Sequence, residues 1–324
     1  MLQAYPAAGS TPASRESTPP VWIDALAPTA DESTELASHY GVQVPTRAQL
    51  EEIESSSRLR TQGEVLYLSM PVPDEGSAEG RDAPRFGFRE RAPFGFILKP
   101  DILITVRFAE LHVLPELRKR LAELSEPPGG AAVFVMLVES MVDFAADVLE
   151  RLAGELGTVS RQVFVRRSRR APRLAAVLRD TLCVVGDAGE QLARLRESVL
   201  ALGRIIAFVA DMTPWLRPEW RKRLRIARGD LDSLVDFEGH LAVQTQFLLD
   251  AILGFINTEQ NDMFKVLTIA SVVGIPPTLI ASMYGMNFHY MPELSWRYGY
   301  AYGLALIAAS TLIPILWFKR RGWW

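Results

Sequence analysis

The 324-residue sequence holds a single cysteine, Cys183. One cysteine excludes an internal disulfide framework and leaves no thiolate cluster for a structural zinc. The four histidines, His39, His112, His240 and His289, are scattered along the chain, so no catalytic constellation points to an enzyme. No Walker-type glycine loop is present. Charge of one sign is not in excess: 35 Lys and Arg against 38 Asp and Glu give a net −3, which provides no general reason to expect nucleic acid as a partner. Residues 1–20, rich in Pro, Ser, Thr and Ala, show no basic stretch leading into an apolar run. They read as a loose arm with one short strand at Leu2–Tyr5 rather than as a secretory signal.

What is present is distributed unevenly. The averages, 48% hydrophobic and 23% charged, resemble those of a soluble protein. Yet Val266–Tyr284 and Tyr298–Phe318 contain no charged residue at all. Crossing a bilayer takes about 20 apolar residues, so each run is long enough alone. The short linker Gly285–Arg297 makes them a hairpin with both ends on one side of the membrane. Lys265 precedes the first span and Lys319, Arg320 and Arg321 follow the second, whereas the linker holds only Arg297. The positive-inside rule places the N-terminal body and the C-terminal tail in the cytoplasm. Tyr298, Tyr300, Tyr302, Trp317, Trp323 and Trp324 are placed as interfacial anchors.

The body alternates strand-like and helix-like stretches. Val21–Asp24, Glu64–Met70, Phe94–Leu98 and Ile102–Arg107 read as strands, the last two joined by the turn Lys99-Pro100-Asp101. Thr29 with Glu32, and Thr46 with Gln49, form capping boxes at two helix starts. Pro71–Pro84, dense in Pro, Gly, Asp and Glu, reads as a loop. Pro127-Pro128-Gly129-Gly130 is a break, after which Ala131–Met212 has helical spacing and suggests a long helical pair. The basic run Arg166-Arg167-Ser168-Arg169-Arg170 falls near its bend and reads as a solvated helix end. Beyond Glu219 a helical pattern runs without interruption toward the membrane. The expected architecture is an α+β N-terminal cytoplasmic domain, long helices and a C-terminal two-helix transmembrane hairpin. Its expected parts are an arm over 1–20, an α/β domain over 21–126, long helices with a stalk over 131–264, and a hairpin over 265–324. The spans lie at about 266–284 and 298–318, with the external loop at 285–297.

The first span is not uniformly apolar. At about 100° per residue, Asp250, Asn257, Asn261, Phe264, Thr268, Ser271, Ile275, Thr278 and Ser282 fall within an arc of roughly 100°. Most of them hydrogen-bond with water, and a charged Asp250 on the same face fits a water-filled path better than lipid. Small polar residues also serve helix–helix contacts, which is the competing use of such a stripe. Two spans cannot enclose a pore, so conduction requires several copies around an axis. Pro276 and Pro277 remove backbone donors and leave carbonyls free for the pore or its neighbours.

The linker starts Tyr284-Gly285-Met286-Asn287-Phe288 and continues Met291-Pro292-Glu293-Leu294. Gly-Met-Asn closing the penultimate span, followed by Met-Pro-Glu-Leu, resembles the signature of the CorA family of magnesium transporters. The similarity extends through Phe255-Ile256-Asn257, Lys265-Val266-Leu267-Thr268 and the tail Phe318-Lys319-Arg320-Arg321-Gly322-Trp323, and to Val21-Trp22-Ile23-Asp24 and Glu51-Glu52-Ile53-Glu54 in the body. The resemblance implies a homopentameric funnel in the inner membrane that carries Mg²⁺, with cobalt or nickel as further ions. It implies a selectivity filter at Gly285, Met286 and Asn287, and no cofactor beyond Mg²⁺ as transported and regulatory ion. A ring of Asn287 amides would hydrogen-bond the waters that Mg²⁺ gives up reluctantly. Glu293 would attract cations at the outer mouth. Leu267 joins the pore-lining set through the resemblance, and with Phe264 would form a hydrophobic gate closed by dewetting.

One position departs from the pattern. Relatives often carry an acid two residues after the signature Asn, where this chain has His289, so attraction of cations should be weaker. An imidazole also suits zinc or cobalt better than magnesium. Asp230, Asp232, Asp236 and Glu238 offer acids at helical spacing for a cytoplasmic Mg²⁺ sensor, but a solvated face explains them as well. Two competing readings are a zinc or other divalent-cation transporter of the same superfamily and a membrane-anchored scaffold without transport.

Overall fold

A computed structural model of the chain describes residues 1–6, 19–52, 54, 58–74, 90–123, 129–165, 174–286, 289 and 291–323. The chain divides into two compact units, one of residues 1–172 and 179–249 and one of residues 173–178 and 250–324. The basic run at 166–170 lies outside the described residues.

The first unit begins with a six-stranded sheet. Its strands are β1 (Leu2–Pro6), β2 (Pro20–Leu26), β3 (Leu59–Gln62), β4 (Val65–Asp74), β5 (Glu90–Leu98) and β6 (Leu103–Arg107), in spatial order β1-β2-β6-β5-β4-β3. Among the described strands only β2 and β6 pair in parallel, and the other pairs are antiparallel. α1 (Ala30–Tyr40) and α2 (Arg47–Glu51) begin at the two expected capping boxes. The Glu32 amide donates to Thr29 Oγ1 at 3.2 Å, and the Thr29 amide to Glu32 Oε2 at 2.9 Å. Gly41 ends α1 in the left-handed region at φ 63°, a conformation that glycine adopts without a Cβ penalty.

The predicted loop at Pro71–Pro84 starts too early, because β4 continues through Asp74. Among the described residues β3 pairs only with residues 65–68 of β4, and no strand is paired to β4 on that side beside Pro71 and Pro73. A missing N–H is harmless on a free edge. Alternation sends the two sides of the sheet to different cores. Ile23, Ala25, Tyr67, Ile97, Ile104 and Val106 pack with Leu36 and Leu50 of α1 and α2. Trp22, Phe94, Phe96, Leu68 and Met70 are buried on the other side, where Phe96 meets Phe134 edge-on at 5.8 Å.

Phe134 belongs to α4 (Gly130–Val165), which follows α3 (Val113–Ala122) and precedes α5 (Leu174–Met212). α3 and β3 are not foreseen from the sequence. β3 is a four-residue, mostly polar edge, Leu-Arg-Thr-Gln; α3 lacks a side-chain cap, although Leu114, Leu117 and Leu121 carry a recoverable helical spacing. α6 (Pro218–Tyr284) is unbroken over 67 residues and starts with proline at its first position, where a missing N–H costs nothing. Its first part is tied to its neighbours by ion pairs of Arg223 with Glu139 and Glu238 with Arg196. The second unit contains the rest of α6, a 3₁₀ turn at Pro292–Ser295, and α7 (Gly299–Arg320).

Candidate functional site

Because α6 does not break between residues 250 and 284, the whole predicted stripe lies on one helix of one unit. Asp250, Asn257, Asn261, Thr268, Thr278 and Ser282 are exposed on the single chain and Ser271 is half-buried. The large apolar members are exposed as well: Phe264 at 65%, Leu267 at 63% and Ile275 at 64%. A run of apolar side chains this exposed marks a membrane or protein-interaction surface.

The threonines are held by their own helix. Thr268 Oγ1 donates to the Phe264 carbonyl and Thr278 Oγ1 to the Gly274 carbonyl, each at 2.8 Å. This back-bonding satisfies the hydroxyl hydrogen in an apolar medium and leaves lone pairs pointing away from the helix. Pro276 and Pro277 lie inside the helix. Having no N–H, they leave the Val272 and Val273 carbonyls without their usual donors. At the cytoplasmic-facing end predicted from charge, Lys265 pairs with Asp262 at 2.8 Å.

The helix closes at Gly285, whose amide reaches the carbonyls of Ala281 at 3.0 Å and Ser282 at 3.2 Å. A Cβ there would lie 3.3 Å from the Ala281 oxygen, so glycine suits the tight closure. Met286 follows, 48% exposed. Asn287 and the side chain of Glu293 lie outside the described residues, and His289 is exposed. Beyond the 3₁₀ turn, Trp296 and Tyr302 bring their rings to 5.6 Å, bracketing the start of α7.

The far end of α7 has an arrangement not foreseen from its residues. Phe318 is only 2% exposed, with Trp317 edge-on at 5.0 Å and Trp323 stacked at 5.4 Å, while Arg321 lies 4.8 Å above Trp317. Gly322, at φ 69°, makes the return that brings Trp323 back. The two apolar helices are long enough to cross a membrane, and their most apolar windows are 0% and 6% buried within the chain.

The proposed sensor acids are partly committed elsewhere. Asp232 pairs with Arg228 at 3.1 Å, and the buried Glu238 pairs with Arg196. Among the described residues, no group of three or more His, Cys, Asp or Glu side chains is placed to hold a metal ion.

Comparison with known proteins accounts for nearly the whole chain. The family profile described as "CorA-like Mg2+ transporter protein" matches residues 18–320. The chain belongs to the CorA family. It is 30% identical to the magnesium transport protein CorA of Escherichia coli K12 over 304 residues, covering 94% of this chain and 92% of that protein. It is 29% identical to the protein of the same name from Haemophilus influenzae over 307 residues, with the same coverages. In fold it is similar to the complete CorA magnesium transporter from Methanocaldococcus jannaschii, with a TM-score of 0.71 at 18% identity over 94% of this chain and 91% of that one. The full-length CmaX protein follows at 0.66 and 16%, covering 92% and 87%. The α+β domain, long helices and apolar C-terminal helices are thus the CorA arrangement.

Proposed function

We propose that this CorA-family chain assembles as a homopentamer in the inner membrane and conducts Mg²⁺ inward through a path lined by α6. The observation that carries the reading is the unbroken α6, which keeps the polar stripe on one helix that ends at Tyr284, just before the sequence Gly285-Met286-Asn287. Five copies would convert one stripe into a lined conduit. The exposure of Phe264, Leu267 and Ile275 on the single chain supports assembly.

Each part has a physical task in this reading. Asn287 amides select the ion through its retained waters, since Mg²⁺ sheds its hydration shell reluctantly. Glu293 raises the local cation concentration at the external mouth. Phe264 and Leu267 form the constriction that dries when the helices approach, and cytoplasmic Mg²⁺ favours that closed state. Asp250, Asn257, Asn261, Thr268, Ser271, Ile275, Thr278 and Ser282 line the path. The membrane potential supplies the driving force, about 2.3 kcal/mol per charge per 100 mV and roughly twice that for a divalent ion, so no nucleotide is consumed. The basic residues flanking the spans favour cytoplasmic termini.

Flux into proteoliposomes under an imposed inside-negative potential tests this, comparing Mg²⁺, Co²⁺, Ni²⁺ and Zn²⁺ in wild type and Asn287→Ala. Potential-dependent Mg²⁺ uptake that falls or loses selectivity in the variant is expected. Zinc moving far better than magnesium in response to a pH gradient would favour the zinc reading suggested by His289. No flux of any ion would leave only the scaffold reading.

A further inference from the structure

A second site is built into the first unit, on the side of the sheet covered by α1 and α2. Two adjacent positions there have almost no side chain: Ser69 of β4 lies opposite Gly95 of β5. Leu50 of α2 roofs this spot so closely that a Cβ on Gly95 would come within 2.8 Å of its Cδ2. In the next row Arg60 of β3 lies opposite Tyr67, its guanidinium 4.5 Å from the ring centre. Arg58, the residue just before β3, closes a helical turn through its amide to the Glu54 carbonyl and lines the same hollow as Ser69. The result is a cavity of about 350 Å³ whose walls include Gln49, Leu50, Glu52, Arg58, Arg60 and Ser69. That is within the range of small-molecule sites, roughly 300–1,000 Å³.

Two independent features give the hollow a chemical preference. Ser69 is only 5% exposed, and its Oγ has no hydrogen-bond partner among the described residues. A buried hydroxyl in that condition is destabilising and is completed by a ligand or water. Arg58 spends its Nε on the Glu52 carbonyl at 2.7 Å, and neither it nor Arg60 has a carboxylate partner among the described residues. Two guanidiniums against the one carboxylate of Glu52 leave the lining positive.

We infer that this cavity binds a small phosphate-bearing anion. Arg58 and Arg60 present forked donors to phosphate oxygens, and Ser69 Oγ donates a further bond to the same group. A tetrahedral phosphate uses donors from both sides in a way that a planar carboxylate does not. Gln49 already spends its Oε1 on the Thr46 amide at 2.9 Å, which leaves its NH₂ for the organic part of an ester. The space exceeds a bare phosphate, so a phosphomonoester of a small polar molecule fits better than free phosphate.

The test is equilibrium binding of labelled orthophosphate and of AMP to the detergent-purified full chain, at clamped free Mg²⁺ and constant ionic strength. One saturable site per subunit is expected. Arg60→Ala should weaken it about tenfold or more, and Arg60→Lys should restore part of the loss. Ser69→Ala should weaken binding a few-fold without lowering the unliganded thermal midpoint, because removing an unpartnered hydroxyl strands nothing. Tighter binding of AMP identifies the ester as the source and tighter orthophosphate the free ion; either supports the site. Absence of saturable binding for both probes, or binding unchanged in Arg60→Ala and Ser69→Ala, overturns it. So does a fall in the unliganded midpoint of Ser69→Ala, which would make the hydroxyl structural.

Discussion

Asp24→Ala should be among the most damaging substitutions in the first unit. Asp24 and Arg107 are 1% and 3% exposed. The carboxylate takes bonds from Thr105 Oγ1 at 2.9 Å, from Arg107 Nε at 3.1 Å and Nη2 at 3.0 Å, and from Arg118 Nη2 at 3.2 Å. Burial alone would lower the Arg107 pKa, but the bonds and charges of Asp24 and Glu110 outweigh it and hold the guanidinium above its ordinary value. Removing Asp24 strands a buried cation whose remaining acid, Glu110, is 79% exposed and screened by water. Breaking one side of a buried pair costs about 3–5 kcal/mol. For a unit of this size that is a fall of about 6–12 °C in thermal midpoint, taking the lower figure. Trp22 donates its indole N–H to Thr105 Oγ1 at 3.0 Å, so tryptophan fluorescence during heating of the detergent-solubilised protein includes a reporter inside the cluster. Asp24→Ala combined with Arg107→Met should recover most of the loss, since the penalty comes from the stranded charge. A drop below about 2 °C for Asp24→Ala, or a double variant as unstable as the two losses added, would refute the reasoning.

Other consequences are equally direct. Burial raises the Glu155 pKa against the lowering effect of Arg151, so the carboxyl contributes stability fully below its unfolded value and loses it as pH rises through the folded one. Glu155→Gln should therefore raise the thermal midpoint at neutral pH, with the gap closing toward about pH 4; a gap that widens on acidification would contradict this. Gly130→Ala should reduce folded yield and lower the midpoint by several degrees, because its Cβ would sit 2.4 Å from the backbone of Ile102. Leu267→Asn should raise Mg²⁺ flux at high internal Mg²⁺ by about tenfold, equivalent to about 1.4 kcal/mol of dewetting barrier. His289→Glu should raise uptake at subsaturating Mg²⁺ a few-fold, with the gain disappearing at high ionic strength.

The parts legible in the sequence are those governed by neighbours along the chain. The capping boxes at Thr29 and Thr46 need only a residue three positions away, and both form. The turn Lys99-Pro100-Asp101 joins β5 to β6 as an antiparallel pair, because a turn sets register locally. The two uncharged runs and the phased stripe on α6 follow from composition and the helical repeat alone. The hidden parts depend on partners far away. The extent of β4 beyond Pro71 depends on its pairing with β5, which runs on to Asp74 opposite Glu90. α3 packs Leu114, Leu117 and Leu121 without a cap to announce its start.

Membership of the CorA family and its order of elements are written in the sequence, since a signature tripeptide, helical phase and charge-free runs are all one-dimensional. Tertiary structure alone decided what Asp24 and Ser69 are. Asp24 reads as a polar residue at the end of an apolar strand until the parallel pairing of β2 with β6 brings Arg107 to it from 83 positions away. Ser69 reads as an ordinary strand serine until Gly95 is set opposite it and its hydroxyl is buried without a partner among the described residues. Burial and pairing are relations between distant segments, and only folding brings those segments together.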